Sequence, residues 1–172
     1  ILKSISTRNM AISASGLDFI NAIIPYLKPR LGIVGANQSK VDEAFMGVVS
    51  ELKTHTEDLL NKIVWVIGNQ VNAQLKKEGV TSDGLAQAGI SEYARRIVKE
   101  FQTLNRAISD ILPPSRANLL YAVIAEQTST QIESFYRSIG PRFEAQITMD
   151  VDYINEQTTF TNNPIRFHGA SH

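Results

Sequence analysis

The sequence predicts an all-α fold, an elongated antiparallel bundle of four to five helices. Three observations predict it. Between residues 39 and 77 the chain runs without proline while apolar residues recur at steps of three, four or seven, the pattern of one helix face. No window alternates apolar and polar residues with period two over more than a few positions, as a half-buried strand would. Proline and glycine punctuate the chain between the periodic stretches and leave mostly short connections, which suits antiparallel neighbours. A helix over 39–77 would span about 58 Å at 1.5 Å per residue, and that length is the source of the expected elongation.

The first helix is expected over residues 2–27. Ile5, Ile12, Phe19, Ile20, Ile23 and Leu27 form its apolar face, and Ser4, Ser6, Thr7, Ser13 and Ser15 make the other face small and polar. Gly16 lowers helicity by about 1 kcal/mol relative to alanine. Pro25 lacks the backbone donor and clashes with the preceding turn, so it kinks the helix or begins its end. Pro29, Gly32 and Gly35 mark a connection whose Leu31, Ile33 and Val34 are expected to pack down.

The long second helix carries Val41, Phe45, Val48, Val49, Leu52, Leu59, Leu60, Ile63, Val66, Ile67, Val71 and Leu75 on its stripe. Ser39 is the expected N-cap, with Asp42 and Glu43 in the first turn and Lys76 and Lys77 in the last, an order that complements the helix dipole. Gly79 is a stop signal. Gly47 and Gly68 are the expected bending points, and the polar step at Thr54–Thr56 thins the stripe. Residues 79–90 read as a loop.

A third helix is expected over 91–112, capped by Ser91, with Tyr93, Ile97, Phe101 or Leu104, Ile108 and Ile111 inward. Pro113 and Pro114 end it and open the fourth. That helix runs to about residue 139 on Leu119, Leu120, Val123, Ile124, Ile132, Phe135 and Ile139, has an unusually polar middle at 127–131, and stops at Gly140-Pro141. A fifth helix is expected from Thr148, as N-cap, to about residue 159, with Ile147, Val151 and Ile154 on its apolar side. Residues 1–160 thus read as a single helical bundle domain and 161–172 as a flexible tail.

Composition narrows the function classes. Hydrophobic residues make up 43% of the 172, enough for a packed core rather than a disordered chain. Lys+Arg and Asp+Glu balance at 17 each, so no overall field recruits nucleic acid, and none is expected as a partner. The absence of cysteine excludes disulfides, thiolate metal sites and thiol nucleophiles. No continuous apolar run reaches the roughly 20 residues of a bilayer span, so no transmembrane segment is expected. The chain opens at Ile1 and enters a helical pattern at once, so it reads as a C-terminal fragment of a longer protein.

The pattern of an enzyme is missing. Glu51 and His55 fall on one face of the second helix, but a di-metal bundle needs Glu-x-x-His on two helices. His168 and His172 belong to the tail. There is no G-x-S-x-G elbow and no G-x-x-x-x-G-K-[ST] phosphate loop, each of which supplies a geometry its chemistry requires. Catalytic residues, cofactor and metal are all expected to be none. Arg95, Arg96 and Lys99 cluster on the third helix, softened by Glu92 and Glu100, and Trp65 lies beside the main stripe of the second. These four are candidate partner contacts, since half-exposed aromatics and arginines anchor interfaces.

Residues 2–13 carry the run Leu2-Lys3-Ser4-Ile5-Ser6-Thr7-Arg8-Asn9-Met10-Ala11-Ile12-Ser13. It resembles the start of the C-terminal domain in the family of vacuolar protein sorting-associated protein fifty-four, the subunit that distinguishes the Golgi-associated retrograde protein (GARP) complex. Two echoes follow in the same order. Asp110-Ile111-Leu112-Pro113 is similar to the family's D-L-L-P before a helix, and Thr148, Asp150 and Val151 with Tyr153 are similar to its T-x-D-V segment. The match is close over residues 2–13, holds in outline along the chain, and diverges most at 30–90.

The resemblance implies a non-enzymatic subunit of a multisubunit vesicle tether, built from helical bundles stacked into rods. It implies action in retrograde transport from endosomes to the trans-Golgi network, with the carboxy-terminal part contributing endosomal localisation. The implied partners are other tether subunits, SNAREs, small GTPases and endosomal membrane, and the implied location is peripheral, on the cytosolic face of the trans-Golgi network and endosomes. It supplies no catalytic or ligand residue. Lys3 and Arg8, which match its motif, join the candidate partner contacts, with capping of the first helix as the alternative role for the motif. The competing reading is an unrelated helical adaptor or regulatory interaction bundle.

Overall fold

A computed structural model describes residues 6–27, 29, 38–80 and 89–169. Within them the chain forms α1 (Thr7–Leu27), α2 (Gln38–Val80), α3 (Glu92–Ile108), α4 (Pro114–Ile139) and α5 (Glu144–Gln157), with 3₁₀ turns at Pro141–Phe143 and Thr159–Thr161. No strand occurs among the described residues, so the fold is all-α. The expected packing of Leu31, Ile33 and Val34 lies outside the described residues, as do Lys3, Ser4 and Ile5. The chain divides into two compact units, Ile1–Ile63 and Val64–His172.

In the first unit, Ser6 caps α1: its Oγ accepts the Asn9 backbone N–H at 3.2 Å, which satisfies one of the orphan donors of a helix start. The helix continues through Pro25 to Leu27, so the proline sits in the last turn. The inward face of α1 is the reverse of the one expected. Met10, Ala11, Ala14 and Ile24 are buried, while Ile12, Phe19, Ile20 and Leu27 are exposed. Small alanines admit a close neighbour, and the pattern of large side chains alone does not reveal that face.

α2 is 43 residues long, about 65 Å at 1.5 Å per residue. It starts at Gln38, so Ser39 lies inside the helix rather than at its cap, and no acidic residue falls in its first turn. The Gln38 amide instead donates to Asp42 at 3.0 Å. Lys77 does lie in the last turn, and the helix passes Gly79 to end at Val80. Its stripe is half-buried at Val41, Phe45, Val49 and Leu52 and fully buried only at Ile63, within the first unit. The polar step is no gap, because Thr56 is 1% exposed and its hydroxyl donates to the Leu52 carbonyl at 2.9 Å. This back-bond lets a threonine sit on an apolar face without an unpaired hydroxyl.

In the second unit Ile67, Val71 and Leu75 of α2 are buried, and α2 meets α3 through Gln74 and α4 through Gly68. Tyr93, Ile97, Phe101, Leu104 and Ile108 of α3 are buried, as are Leu120, Ile124, Ile132 and Phe135 of α4 and Ile147, Val151 and Ile154 of α5. Tyr93 meets Phe135 edge to face, with centroids 5.7 Å apart. α3 ends at Ile108, four residues before its expected end, and a turn leads to the buried Leu112. α4 ends at Gly140, whose φ of 95° suits glycine.

α5 begins at Glu144 rather than Thr148. Thr148 lies inside it, with its hydroxyl donating to the Glu144 carbonyl at 2.9 Å. Its fully buried Asp150 reaches across to the start of α3. One carboxyl oxygen, Oδ1, accepts the Ser91 N–H at 2.9 Å and the Gln146 amide at 3.1 Å. Ser91 makes no side-chain cap of its own. Its hydroxyl accepts from Gln146 at 3.2 Å, so the cap of α3 is supplied by α5.

The stretch expected to be a flexible tail, 161–172, is instead seated over its described part, 161–169. Asn155 exchanges two hydrogen bonds with the backbone of Ile165, at 2.8 and 2.9 Å. The Arg166 N–H donates to Ser129 Oγ at 2.9 Å and the His168 N–H to Glu133 at 2.6 Å. Ile165 is buried and Phe167 meets Tyr136 edge to face. These contacts come from residues far apart in sequence, which a local reading of Asn, Pro and Gly as loop formers does not register.

The polar middle of α4 has a structural partner. Gln131 donates to the Gly68 carbonyl of α2 at 3.0 Å, and the Gln127 amide occupies the place where a Cβ on residue 68 would stand. Gly68→Leu should therefore destabilise the fold by about 2 kcal/mol through overpacking, as measured by urea unfolding. Gly68→Ala should stay within about 1 kcal/mol of the parent, because only the flexible amide end must give way and alanine favours the helix.

Candidate interaction surface

The chemistry-bearing residues do not converge. His55 is exposed on α2, and among the described residues no group of three or more His, Cys, Asp or Glu is placed to hold a metal ion. His168 is engaged through its backbone, and His172 lies outside the described residues. The described depressions are shallow troughs lined mainly by ordinary surface groups. One of about 730 Å³ lies on the outer side of α5 by Ala145, Met149 and Tyr153. Another of about 470 Å³ lies by Ile24, Pro25, Phe45 and Met46 in the first unit.

The candidate contacts fall in separate places. Arg8 is exposed in the first turn of α1, in the first unit. Trp65 is 55% exposed on α2, and Arg95, Arg96 and Lys99 project from the outer side of α3, all in the second unit. The α3 trio is not uniform. Arg96 Nε pairs with Glu92 at 2.9 Å and its Nη1 reaches Gln74 of α2 at 3.3 Å, so this residue helps tie α3 to α2. The hydrogen bond from Arg96 holds the Glu92 carboxyl below the usual carboxylate range. Arg95 and Lys99, four apart, remain exposed as a basic pair.

Two phenols mark the polar fittings of the core. Tyr121 donates to Asn105 at 2.8 Å, and burial pushes its pKa up to about 12. Burial and a hydrogen bond to Glu144 at 3.0 Å raise that of Tyr136. A phenol whose folded pKa is raised stabilises the fold below its unfolded value near 10 and loses that contribution as pH climbs toward the folded value. The contribution of these two phenols to stability should therefore be flat up to about pH 10 and fall between about 10 and 12, as read from urea midpoints at alkaline pH. Tyr121→Phe should make the fall shallower.

The surface feature that the expected contacts do not include is apolar. Ile12, Phe19, Ile20, Tyr26 and Leu27 of α1 are 45–75% exposed, and Met46 and Val48 of α2 are exposed in the same unit. α1 is also long and apolar enough, by length and composition, to cross a membrane. This corrects the expectation that no segment qualifies. No uninterrupted apolar run exists there, but small Ser, Ala, Gly and Thr fill the gaps, and Arg8 and Asp18 are the only charged residues in the helix.

Residues 1–70 match the family model described as Vps54-like protein. No curated protein and no solved structure matches the chain.

Proposed function

We propose, from the match of residues 1–70 to the Vps54-like family model, that the chain is a helical, non-enzymatic part of a GARP tethering-complex subunit. In this reading it acts in retrograde transport from endosomes to the trans-Golgi network and contributes to endosomal membrane localisation. The observation that carries the reading is the family match, which spans the helix α1 and the greater part of α2. The all-α architecture, with a helix of 43 residues, supports it, because long packed helices transmit position over distance rather than shape a reaction site.

Other GARP subunits are the partners that the family implies. SNAREs, small GTPases and endosomal membrane are further proposed partners, and the proposed location is the cytosolic face of the trans-Golgi network and endosomes. The proposed contacts to these partners are Lys3, Arg8, Trp65, Arg95, Arg96 and Lys99. The reading also takes residues 1–160 as one cooperative domain, and two separately melting calorimetric transitions would divide it.

The test uses the full-length protein carrying this segment, tagged and expressed in cells deleted for the native copy. GARP subunits should co-purify with it, and it should restore the return of endosomal cargo to the trans-Golgi network. Recovery of neither the subunits nor cargo return, from a protein expressed at normal abundance, would overturn the reading.

A further inference from the structure

We propose that the outward face of α1 is a docking surface for an apolar helix of a partner protein, which crosses α1 at Gly16 and places a carboxylate opposite Arg8. Ile12, Gly16, Phe19, Ile20 and Leu27 follow at steps of four, three, one and seven, which keeps them on one side of the helix. The large members of this row are exposed, whereas the buried side holds Met10, Ala11, Ala14 and Ile24. The helix therefore turns more large apolar side chains outward than inward. A helix apolar on all sides is normally buried on all sides.

Gly16 says what covers this row. It lies four residues after Ile12 and four before Ile20, and nothing stands within 4 Å of where its Cβ would be. A glycine within a helix weakens that helix relative to alanine, and here no described residue uses the space it leaves. A lipid surface gains nothing from a missing Cβ. A second helix gains a closer backbone approach, as at the small-residue crossings of packed helices.

Charge defines the partner further. Arg8, four residues before Ile12 and exposed, is the charged group on this face, while Asp18 lies with the buried side at four and seven residues from Ala14 and Ala11. The complementary helix is thus neutral along its apolar row and acidic at one end. Beside the C-terminal end of α1, the trough by Pro25, Phe45 and Met46 offers a recess for one of its side chains, in the manner of helix-in-groove recognition. The proposal rests on the reading of this chain as a subunit of a multisubunit assembly, which supplies the partner helix.

The test places a photoreactive benzoylphenylalanine at position 19 of the full-length protein in its native assembly, and at position 119 as a control. Cross-linked peptides are sequenced. Capture from position 19 of one segment of another polypeptide, with apolar residues at helical spacing and an acidic residue at one end, is the expected result. Arg8→Glu should weaken the association at least about tenfold, and exchanging that acid for arginine should restore it. Gly16→Leu should weaken it to a similar degree while the chain melts no lower than the parent, since the site is open and leucine favours the helix.

Cross-links only to lipid, only to a second copy or to this chain itself would overturn the proposal. So would no yield above the control, or an association indifferent to Gly16→Leu. If GARP subunits co-purify unchanged with the Gly16→Leu protein, the docking surface falls and the tether reading stands. If the captured helix belongs to a protein that is neither a tether subunit nor a SNARE nor a small GTPase, the surface stands and the tether reading falls.

Discussion

Ile63→Gln is expected to lower the unfolding free energy by about 4 kcal/mol, from lost burial together with an amide left without partners. Ile63 is fully buried on α2, so its whole side chain leaves an apolar environment. Leu59, one turn earlier, is only half-buried, and Leu59→Gln should lose about 1–2 kcal/mol. The contrast is the diagnostic part, because helix propensity treats the two substitutions alike. Urea unfolding of both proteins would give the two values. Equal losses would show that the buried face of α2 runs elsewhere. In cells, a loss of this size should appear as low abundance of the protein rather than as an altered activity.

Asp150→Ala should destabilise the chain by about 2–3 kcal/mol, because it leaves the buried Ser91 N–H without its acceptor, whereas the Gln146 amide keeps Gly89 and Ser91 as acceptors. The position also favours a carboxylate, which faces the positive N-terminal end of α3. Asp150→Asn keeps an oxygen acceptor and should lose about 1 kcal/mol. Hydrogen exchange separates this account from general loosening: the Ser91 amide should exchange far faster in the alanine variant even under conditions where both proteins remain folded. An Asp150→Ala protein as stable as the parent would mean that α3 is capped by other means.

The resemblance at 2–13 and 148–153 carries different physics at its two ends. Ser6 of the first run caps α1, so part of that motif sets where a helix begins. Asp150 of the second caps a helix through Ser91, 59 residues earlier. With Thr148 as N-cap, Asp150 reads as a first-turn residue of its own helix, since capping by neighbours is the commonest use of such residues. No local signal distinguishes that from a cap delivered across the core.

The helical class and the faces of α3 and α5 were legible because their large apolar residues have a single periodic interpretation, and burial follows periodicity when one side of a helix is clearly polar. α1 defeated the same logic. Its two sides differ in side-chain size more than in polarity, so both qualify, and the one that packs is the one whose alanines permit close approach. The candidate contacts were legible only as exposed types: the i,i+4 spacing of Glu92 and Arg96 is a local sign of their ion pair, but nothing local shows that Arg96 also reaches Gln74 while Arg95 stays outward.

By itself, the sequence determined that this chain is built of helices, where proline and glycine divide them, and that its first segment is similar to the Vps54-like family. Backbone preference and periodicity act over a few residues, and those features need nothing more. The tertiary structure decided which face of α1 points outward, that the glutamines of α4 seat on Gly68, that α5 caps α3, and that residues 161–169 are fastened down. Each of these depends on free energy gained only when residues distant along the chain meet, and such pairings leave no periodic trace in the order of the residues.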